Sequence, residues 1–357
     1  VAASEPGIPI LPGQLDADPF LLNVRNGTLD LRTGQLREHR REDYLTKLVP
    51  VEYDLAASCP NWGRFLQRIM DGNADLIAYL RRVIGYALTG DVTEQCLWFL
   101  HGEGQNGKST FLGTILALTG DYGIQAVPEL LMQRVHDQHP TERADLFGRR
   151  FVATIETDEG KRMAESLMKQ MTGGDQIRAR WMKKDFFEFS PAHKLFLAAN
   201  HKPTVRGTDF AVWRRIKLVP FTVTIPDDEK DKQLPAKLKA ELPGILTWAV
   251  RGCLEWRRNG LGEPDEVRQA TADYQAEQDT LTGFIQECCF RHQEARCKAS
   301  ALFSAYQEWS GDKFMTPKAF GMKVKAKGYE SSKTNGGYMY FHGLGLATAP
   351  MDHVDDC

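Results

Sequence analysis

Residues 99–110 read FLHGEGQNGKST, in which Gly102, Gly107, Lys108 and Ser109 fill the pattern G-x-x-x-x-G-K-[ST] between an apolar run and a helical one. Glycines let a backbone curl until its N–H groups, with a helix N-terminus, surround phosphate oxygens. The Lys108 ammonium then reaches the β and γ oxygens, and the Ser109 hydroxyl takes a place on Mg²⁺. The expected nucleotide-contacting set is Gly102, Gly104, Gln105, Asn106, Gly107, Lys108, Ser109 and Thr110, with ATP and Mg²⁺ as cofactors. Such a loop needs an acid on a neighbouring strand to hold the metal and polarise the attacking water. RRFVATIETDEG offers Glu156, Asp158 and Glu159 where an apolar strand emerges. Glu156 reads as the metal-side acid, and either Asp158 or Glu159 as the catalytic one. KLFLAAN ends on Asn200, a group suited to orienting water at the γ-phosphate, although asparagine is also an ordinary turn residue. VWRRIKLVPF sets Arg214 and Arg215 at a strand start; one could serve a neighbouring subunit as an arginine finger, and the plain alternative is a solvated basic pair.

Between the acids and Asn200 lies MTGGDQIRARWMKKDFFEF, predicted to be a hairpin with Arg178, Arg180, Lys183 and Lys184 near its tip and Trp181 among them. Basic residues interleaved with an aromatic suit a phosphate backbone and a base or sugar face. A second basic region runs from Lys313 to Leu346, with six lysines against the single acid Glu330. There TPKAFGMKVKAKGY puts Lys318, Lys323, Lys325 and Lys327 on or beside a helix able to meet phosphates or a groove, or else simply solvated. The formal net charge of -2 conceals both patches.

The elements that must position these groups follow from periodicity. CLWFLHG, RFVATIET, KLFLAAN and RRIKLVPFTV are apolar strands separated by the helices KSTFLGTILALTG and GKRMAESLMKQMTGG, which predicts an α/β sheet with parallel neighbours. Ahead of it, LLNVRNGTLDLRTGQLREH reads as a hairpin and NWGRFLQRIM and ADLIAYLRRVIGYALTG as helices, making a small α+β domain. After Pro226 comes the helix ELPGILTWAVRGCLEWRRNG, then an acid-rich helical connector, then two helices and a hairpin in the outline of a winged helix. The expected divisions are a tail at 1–19, the small domain at 20–92, the nucleotide-binding core at 93–262, a connector at 263–296, the winged-helix-like domain at 297–346 and a tail at 347–357.

With 357 residues, 42% apolar and 26% charged, the chain falls in the globular class. No run approaches the roughly 18 apolar residues of a membrane helix, and no secretory signal opens it, so a cytoplasmic address is expected. Its seven cysteines form no disulfide framework; CCFRHQEARC, with Cys288, Cys289, His292 and Cys297, invites a zinc reading less readily than a core one. Opening on Val1 rather than Met suggests a piece of a longer protein.

The motifs GEGQNGKST, VATIETDEG, LMKQMTGGDQIRAR and FLAANHKPTVRGTDFAVWRRIKLVPF, in this order and preceded by NVRNGTLDLRTGQLREH, resemble a superfamily 3 helicase of the AAA+ group. More closely, they resemble the C-terminal half of phage and plasmid primase-helicases, a family that includes the poxvirus enzymes. The resemblance implies an AAA+-like P-loop core and 3′ to 5′ movement on single-stranded or forked DNA by a hexameric ring of identical subunits. It also implies ATP held between subunits, in the cytoplasm or nucleoid of a bacterial host, with an upstream primase or polymerase domain missing here. It assigns Lys108 and Ser109 to the phosphate loop, Glu156 with Asp158 or Glu159 to the acidic strand, Asn200 to the sensor, and Arg215 to the trans-acting finger. Lys183 and Lys184 become the DNA-tracking pair. A nucleotide-switched origin-binding or helicase-recruiting protein is the competing reading. A small-molecule kinase is weaker, because it leaves the basic hairpin without a use.

Overall fold

The computed structural model describes residues 12–134, 140–155, 160–205, 210–311, 315–334 and 336–347. The chain divides into two compact units, residues 1–274 and 275–357. The first opens with an antiparallel meander of β1 (Leu21–Val24), β2 (Gly27–Asp30) and β3 (Gln35–Arg37). Gly27 is required there, since a Cβ would lie 2.3 Å from the Arg37 carbonyl oxygen. Helices α1 (Pro60–Ile69) and α2 (Ala74–Ala87) follow, the latter capped by the Asn73 side chain accepting from the Leu76 N–H.

Next come β4 (Leu97–His101), α3 (Lys108–Thr119), β5 (Gly123–Gln125), α4 (Pro140–Ala144), β6 (Phe151–Ile155) and α5 (Glu165–Thr172). After the hairpin β7 (Ile177–Arg180) and β8 (Phe186–Phe189), the chain makes β9 (Lys194–Ala199), α6 (Phe210–Trp213), β10 (Ile216–Pro220), α7 (Leu234–Ala240), α8 (Leu242–Asn259) and α9 (Asp265–Gln278). The five strands β10-β4-β9-β6-β5 form one wholly parallel sheet, in keeping with the expected α/β class. Because side chains alternate across a strand, Trp98, Leu100, Phe151 and Phe196 enter one core, while Leu97, Phe99, Val152 and Leu197 enter another on the opposite face.

The first of these cores also contains Leu22, Leu29, Trp62, Tyr79 and Val83 of the N-terminal region and Ile245, Val250 and Cys253 of α8. The expected division at 92/93 is therefore no boundary of packing. The reason lies in two glycines: a Cβ on Gly85 of α2 would sit 2.0 Å from the Cys253 nitrogen, and one on Gly252 of α8 would sit 2.0 Å from the Arg81 carbonyl oxygen. Without side chains at those positions the two helices meet backbone to backbone.

Two buried cations join the same region to the N-terminal edge of the sheet. Arg150 donates to the carbonyls of Leu88 (2.7 Å) and Leu21 (2.9 Å), over the Tyr122 ring at 4.6 Å. Lys194, the first residue of β9, donates to the carbonyls of Ala192 (2.9 Å), Asp91 (3.1 Å) and Thr89, with Tyr86 at 5.0 Å. Burial pushes both groups below their ordinary pKa values, Lys194 far below.

The second unit contains α10 (Thr280–Cys288), β11 (Cys289–Lys298), α11 (Ala299–Ser310), α12 (Pro317–Ala326), β12 (Ser331–Lys333) and β13 (Met339–Leu346). Its sheet is antiparallel in the order β11-β13-β12, around Phe284, Leu302, Tyr306, Phe320, Phe341 and Leu344. Helix, strand, two helices and a hairpin make a winged-helix arrangement more complete than the sequence suggested. The expected connector at 263–296 is corrected accordingly: Leu281, Phe284 and Ile285 belong to this core, and β11 is its first strand. The acidic helix expected to run unbroken stops instead at Asp279, whose side chain accepts from the Thr282 N–H and starts α10. Among the described residues, no cluster of His, Cys, Asp and Glu could hold a metal, and no helix is long and apolar enough to cross a membrane.

Candidate active site

The loop between β4 and α3 lies at the C-terminal edge of the sheet, where backbone amides of a following helix are free to meet an anion. Gly104 (φ +107°), Gln105 (φ +49°) and Gly107 (φ +83°) all adopt left-handed backbone, turning the chain into a concave path. Gly102 is fixed by crowding, since a Cβ would stand 2.2 Å from both the Asn106 Nδ2 and the Phe221 carbonyl oxygen. Together Gly104 to Thr110, Ile155 and Ala198 to Asn200 line a cavity of about 280 Å³. The strand-end residues Ile155, Ala198 and Ala199 escaped sequence reasoning, because nothing local tells which strands end beside the loop.

Lys108 is only 6% exposed. Its Nζ donates to the Gly102 carbonyl (2.7 Å), the Asn106 Oδ1 (3.0 Å) and the Asn200 Oδ1 (3.0 Å). Burial pulls its pKa down to about 8. Asn200 arrives because β9 is inserted between β4 and β6 in the sheet, so the residue after its last position stands beside the loop between β4 and α3. Ser109 and Thr110 also line the cavity, Ser109 with an exposed side chain. Glu156, Asp158 and Glu159 lie outside the described residues; the strand that leads to them, β6, runs parallel beside β9 and ends at the cavity with Ile155.

The structure does not bring the arginine pair to this cavity. β10 begins at the opposite edge, where Leu97 N–H donates to the Arg215 carbonyl (2.7 Å). The Arg215 side chain is buried and donates to the Ala211 carbonyl (2.6 Å). Arg214 is the exposed member, bonded to Gln95 Oε1 (2.8 Å), and one helical turn before it Phe210 is 80% exposed. Phe210 was not singled out in the sequence, where it looks like any apolar residue.

The hairpin β7–β8 pairs Arg180 with Phe186 and Arg178 with Glu188. Arg178 and Arg180 both lie over the Phe186 ring, at 4.4 and 4.9 Å, a role for Phe186 that only cross-strand pairing reveals. Trp181 stacks on Phe187 at 5.9 Å, and the tip exposes Trp181, Met182, Lys183 and Lys184, with Lys183 in left-handed backbone (φ +58°). In the C-terminal unit, Lys318, Met322 and Lys325 are exposed along one face of α12 while Phe320 and Val324 are buried. Lys323 is half-buried, and Lys327 pairs with Asp279.

Two protein-family models match the chain: one described as D5 N terminal like, over residues 2–71, and a family of unknown function (DUF5906), over residues 100–215. The second interval runs from the end of β4 to Arg215. A protein of Acanthamoeba polyphaga mimivirus named "Putative helicase" is 26% identical over 323 residues, 83% of this chain and 33% of that protein. One of Frog virus 3 (isolate Goorha), also named "Putative helicase", is 23% identical over 382 residues, 83% of this chain and 39% of its own length. A "Putative primase" of African swine fever virus (isolate Tick/Malawi/Lil 20-1/1983) is 21% identical over 323 residues, 83% of this chain and 34% of that protein. The chain thus spans about a third of the length of the curated relatives it matches. Among solved structures, the apo C-terminal region of NrS-1 shares the fold, with a TM-score of 0.53, 10% identity, and coverage of 82% of this chain and 77% of that one.

Proposed function

We propose that this chain, a member of the primase-helicase family, is the motor of an ATP-driven DNA helicase that works as a ring of identical subunits and moves 3′ to 5′ along single-stranded DNA. The observation that carries the reading is the convergence of the left-handed glycine loop, the Lys108 ammonium and the Asn200 amide at one cavity on the C-terminal edge of a parallel sheet. A concave run of backbone amides with a buried ammonium suits the β and γ phosphates of ATP.

In the proposed reaction a water oxygen attacks the γ-phosphorus and the bond to the ADP oxygen breaks. Asn200 orients that water, Lys108 holds the phosphate oxygens, and Asp158 or Glu159 takes the proton. Ser109 and Glu156 would hold Mg²⁺, which would supply positive charge to offset the negative charge of the phosphates. A finger from the adjacent subunit completes the site. The resemblance favours Arg215, but the exposed side chain of the pair is Arg214, with Phe210 beside it, and this supports Arg214 as the group offered to the neighbour.

Lys183 and Lys184 at the hairpin tip, with Arg178 and Arg180 behind them, grip the DNA backbone inside the ring; Lys318, Lys323 and Lys325 on α12 meet duplex at the fork. The test is ATP hydrolysis with and without single-stranded DNA, unwinding of forked duplexes of each polarity, and electron microscopy of the particle with nucleotide. A monomer under every condition, or hydrolysis indifferent to DNA, would sink the reading. The C-terminal unit has a core of its own, which supports a second reading, a nucleotide-switched DNA-binding protein without translocation. Sequence-specific binding with no unwinding in either direction would favour it.

A further inference from the structure

Asn106 lies between the glycines of the phosphate loop, is 3% exposed, and has both ends of its amide engaged. Its Oδ1 accepts from Lys108 Nζ at 3.0 Å, and its Nδ2 donates to the carbonyl of Phe221 at 3.3 Å. Phe221 is the residue after β10. It is tied back to β4 by its own N–H, which donates to the His101 carbonyl (2.7 Å), and four residues on, Ile225 N–H donates to the Gln105 carbonyl (2.8 Å). The segment leaving β10 is thus fastened along the phosphate loop.

We propose that Asn106 is a positioning residue, which sets the Lys108 ammonium within the cavity and fastens the phosphate loop to the exit of β10. The proposal rests on reading Lys108 as the phosphate-binding lysine. Only a short side chain carrying one acceptor and one donor meets both demands. Alanine or serine stops short of one partner, leucine fills the space with no polar atom, and aspartate keeps the acceptor but turns a carboxylate toward the Phe221 oxygen. Crowding makes the arrangement exclusive, since Gly102 has no room for a Cβ beside the Asn106 amide and the Phe221 carbonyl.

The consequence reaches across the sheet. β10 begins at Ile216, next to Arg215, and ends at Pro220, so about 20 Å separates Arg215 from Phe221 at roughly 3.3 Å per residue. The fastening links the end of the strand that follows the arginine pair to the loop that carries Lys108.

The test uses the full chain without nucleotide. Lysine acylation by acetic anhydride, followed residue by residue with mass spectrometry, reads the freedom and protonation of Lys108 in the parent, Asn106→Ala and Asn106→Asp, with circular dichroism confirming that all three fold. Loss of the acceptor in Asn106→Ala should raise Lys108 labelling by about threefold or more, whereas the carboxylate of Asn106→Asp should hold the lysine protonated and lower it by a similar factor. General loosening of the loop would raise both, so labelling that rises together in the two variants, or is equal in all three proteins, overturns the proposal. Fluorescent-nucleotide binding should weaken about tenfold in Asn106→Ala and further in Asn106→Asp, where the carboxylate competes for the ammonium and repels phosphate. Opposed labelling in a protein that binds no nucleotide would retire the ATPase reading and leave the fastening intact.

Discussion

Lys108 and Lys194 stand at opposite edges of the same parallel sheet, 6% and 2% exposed, and each donates to uncharged carbonyl and amide oxygens. Their acceptors differ. Two of the three oxygens around Lys108 belong to side-chain amides, that of Asn106, fastened at its other end to Phe221, and that of Asn200; all three around Lys194 are main-chain carbonyls. Lys108 opens on a cavity, whereas Lys194 is closed beneath the Tyr86 ring. The cation beside the cavity is thus held mostly by side-chain acceptors, and the cation at the opposite edge by main-chain ones alone.

The comparison breaks most readily at Lys108. Lys108→Ala should lower ATP turnover by about 10³-fold, with little loss of thermal stability, in a coupled phosphate-release assay run beside calorimetry. Lys194→Ala should do the reverse, costing about 3 kcal/mol of unfolding free energy in urea because three buried carbonyls lose their donor, while nucleotide affinity in the surviving folded protein stays near the parent value. If Lys194→Ala instead spared stability and abolished turnover, the architectural reading of that edge would be wrong. Lys183→Ala combined with Lys184→Ala should keep nucleotide binding and lose about tenfold of the stimulation by single-stranded DNA, with a weaker salt dependence of DNA affinity.

The smallest effect sharpens the comparison through pH. The folded pKa of Lys108, about 8, lies below its ordinary value of 10.5. Below about pH 8 both states carry the proton and the burial penalty is complete. Between about 8 and 10.5 the unfolded chain binds more protons, so stability from this group rises with pH; above that window the penalty is gone. Melting temperature followed across pH 7–10 should therefore climb less steeply in Lys108→Met than in the parent, and a parent curve no steeper than the variant's would contradict the lowered pKa.

How much of this was legible in the chain varied with the range of the interaction. The loop between β4 and α3 declares itself, because its glycines, lysine and serine are close in sequence and the backbone path demands glycine at Gly102, Gly104 and Gly107. The apolar strands of the sheet were equally plain, except β5, three residues at an edge with too little pattern to register. Strand order was not legible, and with it the meeting of Asn200 and Lys108, since no local signal says that β9 slips between β4 and β6. Arg214 and Arg215 look alike in sequence; the single turn of α6 decides that one is buried and the other exposed. In the C-terminal unit, β11 was missed because its side chains are mostly exposed and carry almost no apolar alternation. The Asp279 cap that starts α10 was a signal present and unused.

The glycine contact between α2 and α8 also constrains descent. Gly85 lies between the two stretches matched by family models, and Gly252 lies beyond both, so the joint belongs to neither stretch alone. A cross between relatives that replaced one helix but not the other would have to bring a glycine to the same height, or push the pair apart by the width of a methyl group. The N-terminal helices and the parallel-sheet core are consequently tied as one block, and a chimera cut between Gly85 and Gly252 is expected to keep its fold only where both donors carry glycine at the crossing.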